Sequence, residues 1–242
     1  MSHVGVIESE NLDVVILCGG LGKRLRTVLS NRPKPMAEIG GRPFLDILID
    51  YALNFGFKRF ILCIGYMSEA IKIYYKNRKG LSAQVFFSEE KRPLGTAGAI
   101  KNAEALIRSS PFLVMNGDSI CKLNLHDFFK FHRNKKALFS MALVNSKGGY
   151  DLGKVDIDDS QRVLSFKEKV KTKQDDFINA GIYILDRDIF SMIPPNKKTS
   201  LEYDLFPRIV KREIYGYIAD EQLIDIGTPD GYKKAKVILG NS

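Results

Sequence analysis

The chain has 242 residues, 45% of them hydrophobic and 27% charged, which is enough to bury one large core, and no apolar run approaches the roughly 20 residues of a membrane-spanning helix. Its net charge of +9 points to anionic partners, but the basic residues are spread along the sequence with no polybasic arm, which argues against nucleic acid. Cys18, Cys63 and Cys121 form no CxxC pair and no zinc spacing, and the stretch up to Leu12 lacks the parts of a signal peptide, so a reduced, cytoplasmic protein is expected.

In chain order, the apolar run Asp13-Val-Val-Ile-Leu-Cys18, closed by Gly19-Gly20, has the pattern of a strand buried on both faces of a parallel sheet. Phe44, Leu45, Leu48, Ala52 and Phe55 recur at helical spacing, and Arg59 to Ile64 is a second apolar strand. The alternation continues with a helix over 68–77, a strand over 83–87, a helix over 96–107 and a strand over 112–115, which predicts a doubly wound α/β arrangement. Past residue 137, four strand-like segments (137–144, 152–157, 162–166 and 177–185) follow one another without helices, so the sheet is expected to be mixed. A helix over 203–210, short strands over 214–218 and 222–226 and a helix over 229–239 complete the pattern. With no internal repeat or linker, one domain is expected over 1–242, with halves of about 12–136 and 137–242.

The loop Gly19-Gly20-Leu21-Gly22-Lys23-Arg24-Leu25 follows the first strand, where α/β proteins place phosphates, and Lys23, Arg24 and Arg26 add positive charge. It is not a Walker A loop, because Arg24 stands where Ser or Thr would follow Gly22-Lys23. Nor is it a dinucleotide fingerprint, because Leu25 holds the third glycine position. In Asn31-Arg32-Pro33-Lys34-Pro35-Met36 two prolines restrict the backbone around one lysine, which suits a rigid cation aimed at phosphate. Taken singly, each segment also reads as an ordinary turn. Asp118 ends one strand and Asp225 another, and magnesium favours a small number of carboxylates plus phosphate oxygens and water. The small residues of Leu94-Gly95-Thr96-Ala97-Gly98 let a flat base approach the backbone, and Glu90 is a candidate acceptor for guanine donors. His3, His126 and His132 make no metal or triad pattern, and no GxSxG or Cys/His nucleophile appears.

Leu17-Cys-Gly-Gly-Leu-Gly-Lys-Arg-Leu25 followed by Pro33-Lys-Pro35 resembles the signature of the sugar-1-phosphate nucleotidyltransferases, with Lys23 where threonine is commoner. The resemblance continues through Leu94–Ile100, Asn116-Gly-Asp118, Glu168-Lys169, Asn179-Ala-Gly181, Ser200-Leu-Glu202 and Asp225–Asp230, in order and over nearly the whole chain. It implies a three-layer, Rossmann-like doubly wound mixed sheet of glycosyltransferase-A type. It also implies transfer of a nucleotide from a nucleoside triphosphate to a sugar 1-phosphate, with pyrophosphate released. By the same resemblance Leu17, Gly19, Gly20, Gly22, Lys23, Arg24, Lys34, Glu90, Gly95, Thr96 and Asp118 meet the nucleotide, and Asp118 and Asp225 hold Mg2+. Gly153, Glu168, Lys169, Asn179 and Glu202 meet the sugar phosphate, and Arg24, Lys34 and Lys169 are the catalytic cations. Val170 departs from the proline usual after that lysine, which leaves Lys167 or Lys171 as alternatives.

The opening Cys18-Gly-Gly-Leu-Gly looks most like the D-glycero-D-manno-heptose 1-phosphate guanylyltransferases, which implies GTP and a heptose 1-phosphate. Mannose or glucose 1-phosphate, with UTP, CTP or dTTP, stay open, as does a homo-oligomer. A non-catalytic nucleotide-sensing module is the reading of another class.

Overall fold

The computed structural model describes residues 8–20, 22–25, 32–210, 212 and 214–240, leaving out the side chains of residues 23, 150 and 151. In chain order, β1 (Asp13–Leu17) leads through a hairpin of β2 (Glu38–Ile39) and β3 (Arg42–Pro43) into α1 (Phe44–Leu53). β4 (Arg59–Ile64), α2 (Ser68–Asn77), β5 (Gln84–Glu89), α3 (Gly95–Asn102) and β6 (Phe112–Asn116) continue the alternation. There follow β7 (Ser119–Cys121), α4 (Leu125–Lys135), the long strands β8 (Phe139–Ile157) and β9 (Val163–Leu185), then α5 (Phe206–Ile209), β10 (Ile214–Ile218), β11 (Leu223–Asp225) and α6 (Pro229–Leu239).

Among the described residues the central sheet has seven strands in the order β10-β8-β9-β6-β1-β4-β5. β9 runs antiparallel to both β6 and β8, and the other neighbours are parallel, so the sheet is mixed as expected. From β1 the chain winds outward through β4 and β5, then crosses back to β6 on the other side of β1. The carboxyl ends of β1 and β6 therefore flank a topological switch point, the place where open α/β sheets bind ligands.

Side-chain alternation along β1 builds the two outer layers. Val14 and Ile16 belong to the core that includes Phe44 and Leu48 of α1, Ile71 of α2, Phe128 and Phe129 of α4, and Tyr232 of α6. Val15 belongs to the opposite core with Ala97 and Ile100 of α3, Phe190, Leu201 and Phe206. A strand buried on both faces has to be apolar at consecutive positions, as Val14-Val15-Ile16 is. At the opposite edge from the switch point the buried Asp13 accepts hydrogen bonds from Arg59 and from the N–H groups of Arg108 and Ser109, which satisfies its charge there.

Three expectations need correction. The four strand-like segments after residue 137 are two long strands, β8 and β9, whose pairing shifts register repeatedly between Met141 and Ile157. Glycines at 148, 149 and 153 and local bulges break the alternation, so continuous strands read as fragments. The helix read over 96–107 ends at Asn102, and the one over 203–210 is a π turn (Leu201–Leu205) followed by α5. Helix α4 was not anticipated, although Asn124 caps it by accepting from the N–H groups of His126 and Asp127 at 3.0 and 3.2 Å. Its Leu125, Phe128, Phe129 and His132 are buried at helical spacing, and each phenylalanine contributes about 1.5–3 kcal/mol of burial.

Candidate active site

At the switch point lies a cavity of about 280 Å³. Seven of the residues expected to meet nucleotide line it: Leu17, Gly19, Gly20, Glu90, Gly95, Thr96 and Asp118. Two glycines make close approaches here. A Cβ on Gly19 would lie 2.7 Å from Glu90 Oε1, and one on Gly117 would lie 2.5 Å from the Leu17 carbonyl oxygen, where Gly117 N–H donates at 3.0 Å. Glu90 Oε2 accepts from Leu94 N–H at 2.9 Å, which fixes the carboxylate at the cavity wall. Burial raises the Glu90 carboxyl above its ordinary range and the Leu94 N–H opposes the shift.

A charged group sits beside this cavity. Pro33 and Pro35 are buried, and between them Lys34, 11% exposed, extends Nζ to Asp118 Oδ2 at 2.5 Å. Asp118, 40% exposed, keeps access to the cleft. Gly22, with φ +58°, brings the loop against Lys34, where a Cβ would lie 3.3 Å from Lys34 Cβ. β7 pairs antiparallel with β11, setting Asp225 opposite Ser119, and Ile226 N–H donates to the Asp118 carbonyl at 2.9 Å. This short ladder brings Asp118 and Asp225 together from distant parts of the sequence. Gly227 is tucked against both partners: a Cβ there would lie 2.7 Å from Asp225 Oδ1 and 2.9 Å from Lys34 Nζ.

Asp225 is exposed, yet desolvation by the surrounding protein and the nearby Asp118 charge push its carboxyl above the ordinary aspartate range; Lys34, the Gly227 N–H and Arg24 pull it back. Two mutually repelling carboxylates with exposed oxygens form a hard, anionic donor pair. Among the described residues no group of three or more His, Cys, Asp or Glu side chains is arranged to hold a metal, so any cation here would rely on this pair, ligand oxygens and water. Burial pushes the thiols of Cys63 and Cys121 up to about 12, which removes them as nucleophiles at neutral pH.

The sequence matches the nucleotidyl transferase family over residues 13–241. The chain belongs to that family. A D-glycero-alpha-D-manno-heptose 1-phosphate guanylyltransferase of Aneurinibacillus thermoaerophilus is 40% identical over 227 residues, covering 93% of this chain and 97% of the relative. A mannose-1-phosphate guanylyltransferase of Mycobacterium tuberculosis is 32% identical over 234 residues, covering 96% of this chain and 65% of the relative. Among solved structures, HddC from Yersinia pseudotuberculosis complexed with GMP-PN superposes with a TM-score of 0.84 at 36% identity, covering 94% of this chain and 99% of that one.

The second half of the nucleotidyl transferase fold carries the residues expected at the sugar phosphate. Glu168 and Lys169 form a bulge between the pairs Lys154 with Lys167 and Leu152 with Val170, opposite Gly153. A Cβ on Gly153 would lie 2.9 Å from Glu168 Oε2. Lys169 takes φ +55° and is exposed, as are Lys167 and Lys171. Asn179 is engaged internally, donating from Nδ2 to the Tyr183 hydroxyl at 2.7 Å and accepting from Gly181 N–H at 3.0 Å. Burial, then the charge of Glu202, pushes the Tyr183 phenol well up; the Asn179 hydrogen bond opposes the shift and the Glu168 and Asp118 charges add to it. Arg24 is exposed close enough to Asp225 to lower it; Arg26, Asn31 and the Lys23 side chain lie outside the described residues.

Pro93, Ala99, Asn116 and Lys198 also line the cavity and were not anticipated. Asn116 had a signal, since it stands in the Asn-Gly-Asp turn. Lys198 had none: it reaches the cavity because Thr199 N–H donates to the Leu94 carbonyl at 2.8 Å, which docks its segment beside α3.

Proposed function

We propose that this nucleotidyl transferase joins GTP to a D-glycero-α-D-manno-heptose 1-phosphate, forming the GDP-sugar and releasing pyrophosphate. The observation that carries the reading is a switch-point cavity lined by glycines and Asp118, with Lys34 paired to Asp118 and Asp225 brought beside them. Both reactants are anions, so the barrier is mainly repulsion and alignment, and fixed cations lower it without a strong base. A sugar-phosphate oxygen attacks the α-phosphorus in line, and the bond to pyrophosphate breaks.

In this reading Gly19, Gly20 and Gly95 admit the nucleoside, and Glu90 accepts the N1–H and exocyclic amine of guanine. Its carboxylate at the cavity wall supports that choice, because uracil and thymine offer no such paired donors. Arg24, Lys34 and the loop amides take up charge on the departing pyrophosphate, while Lys169 faces the sugar phosphate across the bulge. Gly153, Glu168, Asn179 and Glu202 border the sugar. Asp118 and Asp225 would hold Mg2+, which when bound supplies Lewis-acid neutralisation of the phosphate oxygens. The cysteines are free and buried, which suits a reducing cytoplasm, and no described helix is long and apolar enough to cross a membrane.

The relatives named above also favour guanine but divide between heptose and mannose, so the sugar needs direct test. Four nucleoside triphosphates crossed with a panel of sugar 1-phosphates, read by pyrophosphate release, should single out GTP with the heptose phosphate. Turnover confined to UTP or dTTP would overturn the base assignment. Nucleotide binding with no pyrophosphate from any pair would favour the sensing module.

A further inference from the structure

Thr96, the second residue of α3, lines the nucleotide cavity, yet its hydroxyl is engaged away from it. Oγ1 donates to Glu202 Oε2 at 2.8 Å and accepts from Leu201 N–H at 2.7 Å. These bonds belong to a seam between two segments. Thr199 N–H donates to the Leu94 carbonyl at 2.8 Å, Gly98 N–H to the Thr199 carbonyl at 3.0 Å, and Arg92 Nη2 to the Asn196 carbonyl at 2.7 Å. Gly95 and Gly98 permit the approach, since added Cβ atoms would lie 2.6 Å from Thr199 O and 2.8 Å from Lys197 O. The seam thus ties residues 92–98, at the nucleotide cavity, to residues 196–202, which carry Glu202.

Glu202 is oriented from two sides. Oε2 accepts from Thr96 Oγ1 and also from Ser200 Oγ at 2.5 Å, whereas among the described residues Oε1 accepts no hydrogen bond. Ser200 caps the π turn, its hydroxyl accepting from the N–H groups of Glu202 and Tyr203 at 3.1 and 3.2 Å. Two converging donors on one carboxylate oxygen fix the plane of the group and leave the second oxygen for an outside donor.

We propose that Thr96 is a positioning residue for the sugar side of the site: its hydroxyl sets the Glu202 carboxylate so that Oε1 accepts from a hydroxyl of a polyhydroxylated ligand. A residue at the nucleotide cavity thereby governs sugar-phosphate binding. The inference rests on the reading of Glu202 as a sugar contact given above.

Thr96→Val keeps the shape and removes both hydrogen bonds; Thr96→Ala removes them without valine's second methyl; Thr96→Ser restores the hydroxyl. Melting temperatures check folding. Steady-state kinetics at saturating GTP give the KM for sugar phosphate, and titration without sugar gives GTP affinity. Loss of a charge-assisted bond should raise the sugar-phosphate KM by about 10- to 100-fold in the valine and alanine variants, well beyond any change in GTP affinity, with serine returning KM toward wild type. Combined with Glu202→Gln, the valine change should add little. The inference falls if GTP affinity drops as far as sugar-phosphate affinity, if serine is as impaired as alanine, or if the losses with Glu202→Gln simply add. Wild-type protein inactive on every substrate pair would instead remove the functional reading beneath it.

Discussion

Gly20 and Gly95 both border the switch-point cavity, and in the sequence they look interchangeable. Their surroundings make opposite predictions for alanine. Gly95 sits at φ +73°, where an L side chain costs about 1–2 kcal/mol, and a Cβ would lie 2.6 Å from Thr199 O and 3.0 Å from its carbonyl carbon. Those neighbours are backbone, so relief must part the seam and weaken the Thr199-to-Leu94 and Gly98-to-Thr199 bonds, each worth about 1 kcal/mol. Alanine's smaller unfolded-state entropy returns about 0.4–1 kcal/mol. Gly95→Ala should therefore cost about 2–4 kcal/mol, which for a chain of this size lowers Tm by about 4–16 °C. Gly20 has no atom within 4 Å of an added Cβ and no positive φ, so Gly20→Ala should change stability by less than about 0.5 kcal/mol. Its methyl would instead occupy ligand space, and an overpacking cost of about 1–3 kcal/mol weakens GTP binding by about 5- to 150-fold. Circular-dichroism melts and GTP titrations on both variants test the pair. The reasoning fails if Gly95→Ala melts with the wild type, or if Gly20→Ala loses stability while binding GTP normally.

Asp118→Asn and Asp225→Asn should each lower kcat by about 10²–10³, the scale for removing one preorganised electrostatic group, with the metal requirement shifted to higher magnesium in a cation titration. Because Asp225 ionises above the usual range, it stays partly protonated in mild acid and is then a poor cation ligand. Magnesium affinity, followed by titration at a series of pH values, should rise with pH through that range and level off, and Asp225→Asn should flatten the rise. The native state holds this proton more tightly than the unfolded chain, so the metal-free protein should lose, not gain, a little stability as pH rises through the same window; solvent screening keeps the effect small. Glu90→Gln should weaken GTP binding by about tenfold or more and narrow the preference for GTP over UTP, as measured by competitive titration.

What could be read from the sequence was local. The strand-glycine turn at Cys18–Gly20, the proline-framed Lys34 and the Asn116-Gly117-Asp118 turn each declare themselves through a few adjacent residues, and the structure gathers all three at the switch point. Helix α4 was equally readable through Asn124 and the spacing of Leu125, Phe128, Phe129 and His132; its many charged residues masked the apolar face. The meeting of Asp118 with Asp225 depends on the β7–β11 ladder: the strand over 222–226 was legible, but the three-residue β7 and its pairing with β11 were not. The role of Thr96 likewise depends on where residues 196–202 dock, and Lys198 reaches the cavity only because of that docking.

The electrostatics of the site follow from these placements. Asp118 and Asp225 repel, and Lys34, held by buried prolines, pairs with one and lies beside the other, while Arg24 acts on Asp225 from the glycine loop. Two negative and two positive groups leave the cluster close to neutral before any ligand enters. A triphosphate and a sugar phosphate then bring several negative charges into the cleft, which these groups alone cannot balance. In the proposed reading the balance would come from Mg2+ held by Asp118 and Asp225 and from exposed basic residues, Lys198 at the cavity and Lys169 at the bulge. Because the site's own charges largely cancel, the apo protein is not strained by an uncompensated cluster. Full complementarity arises only with both anions present, where it lowers the barrier to their contact.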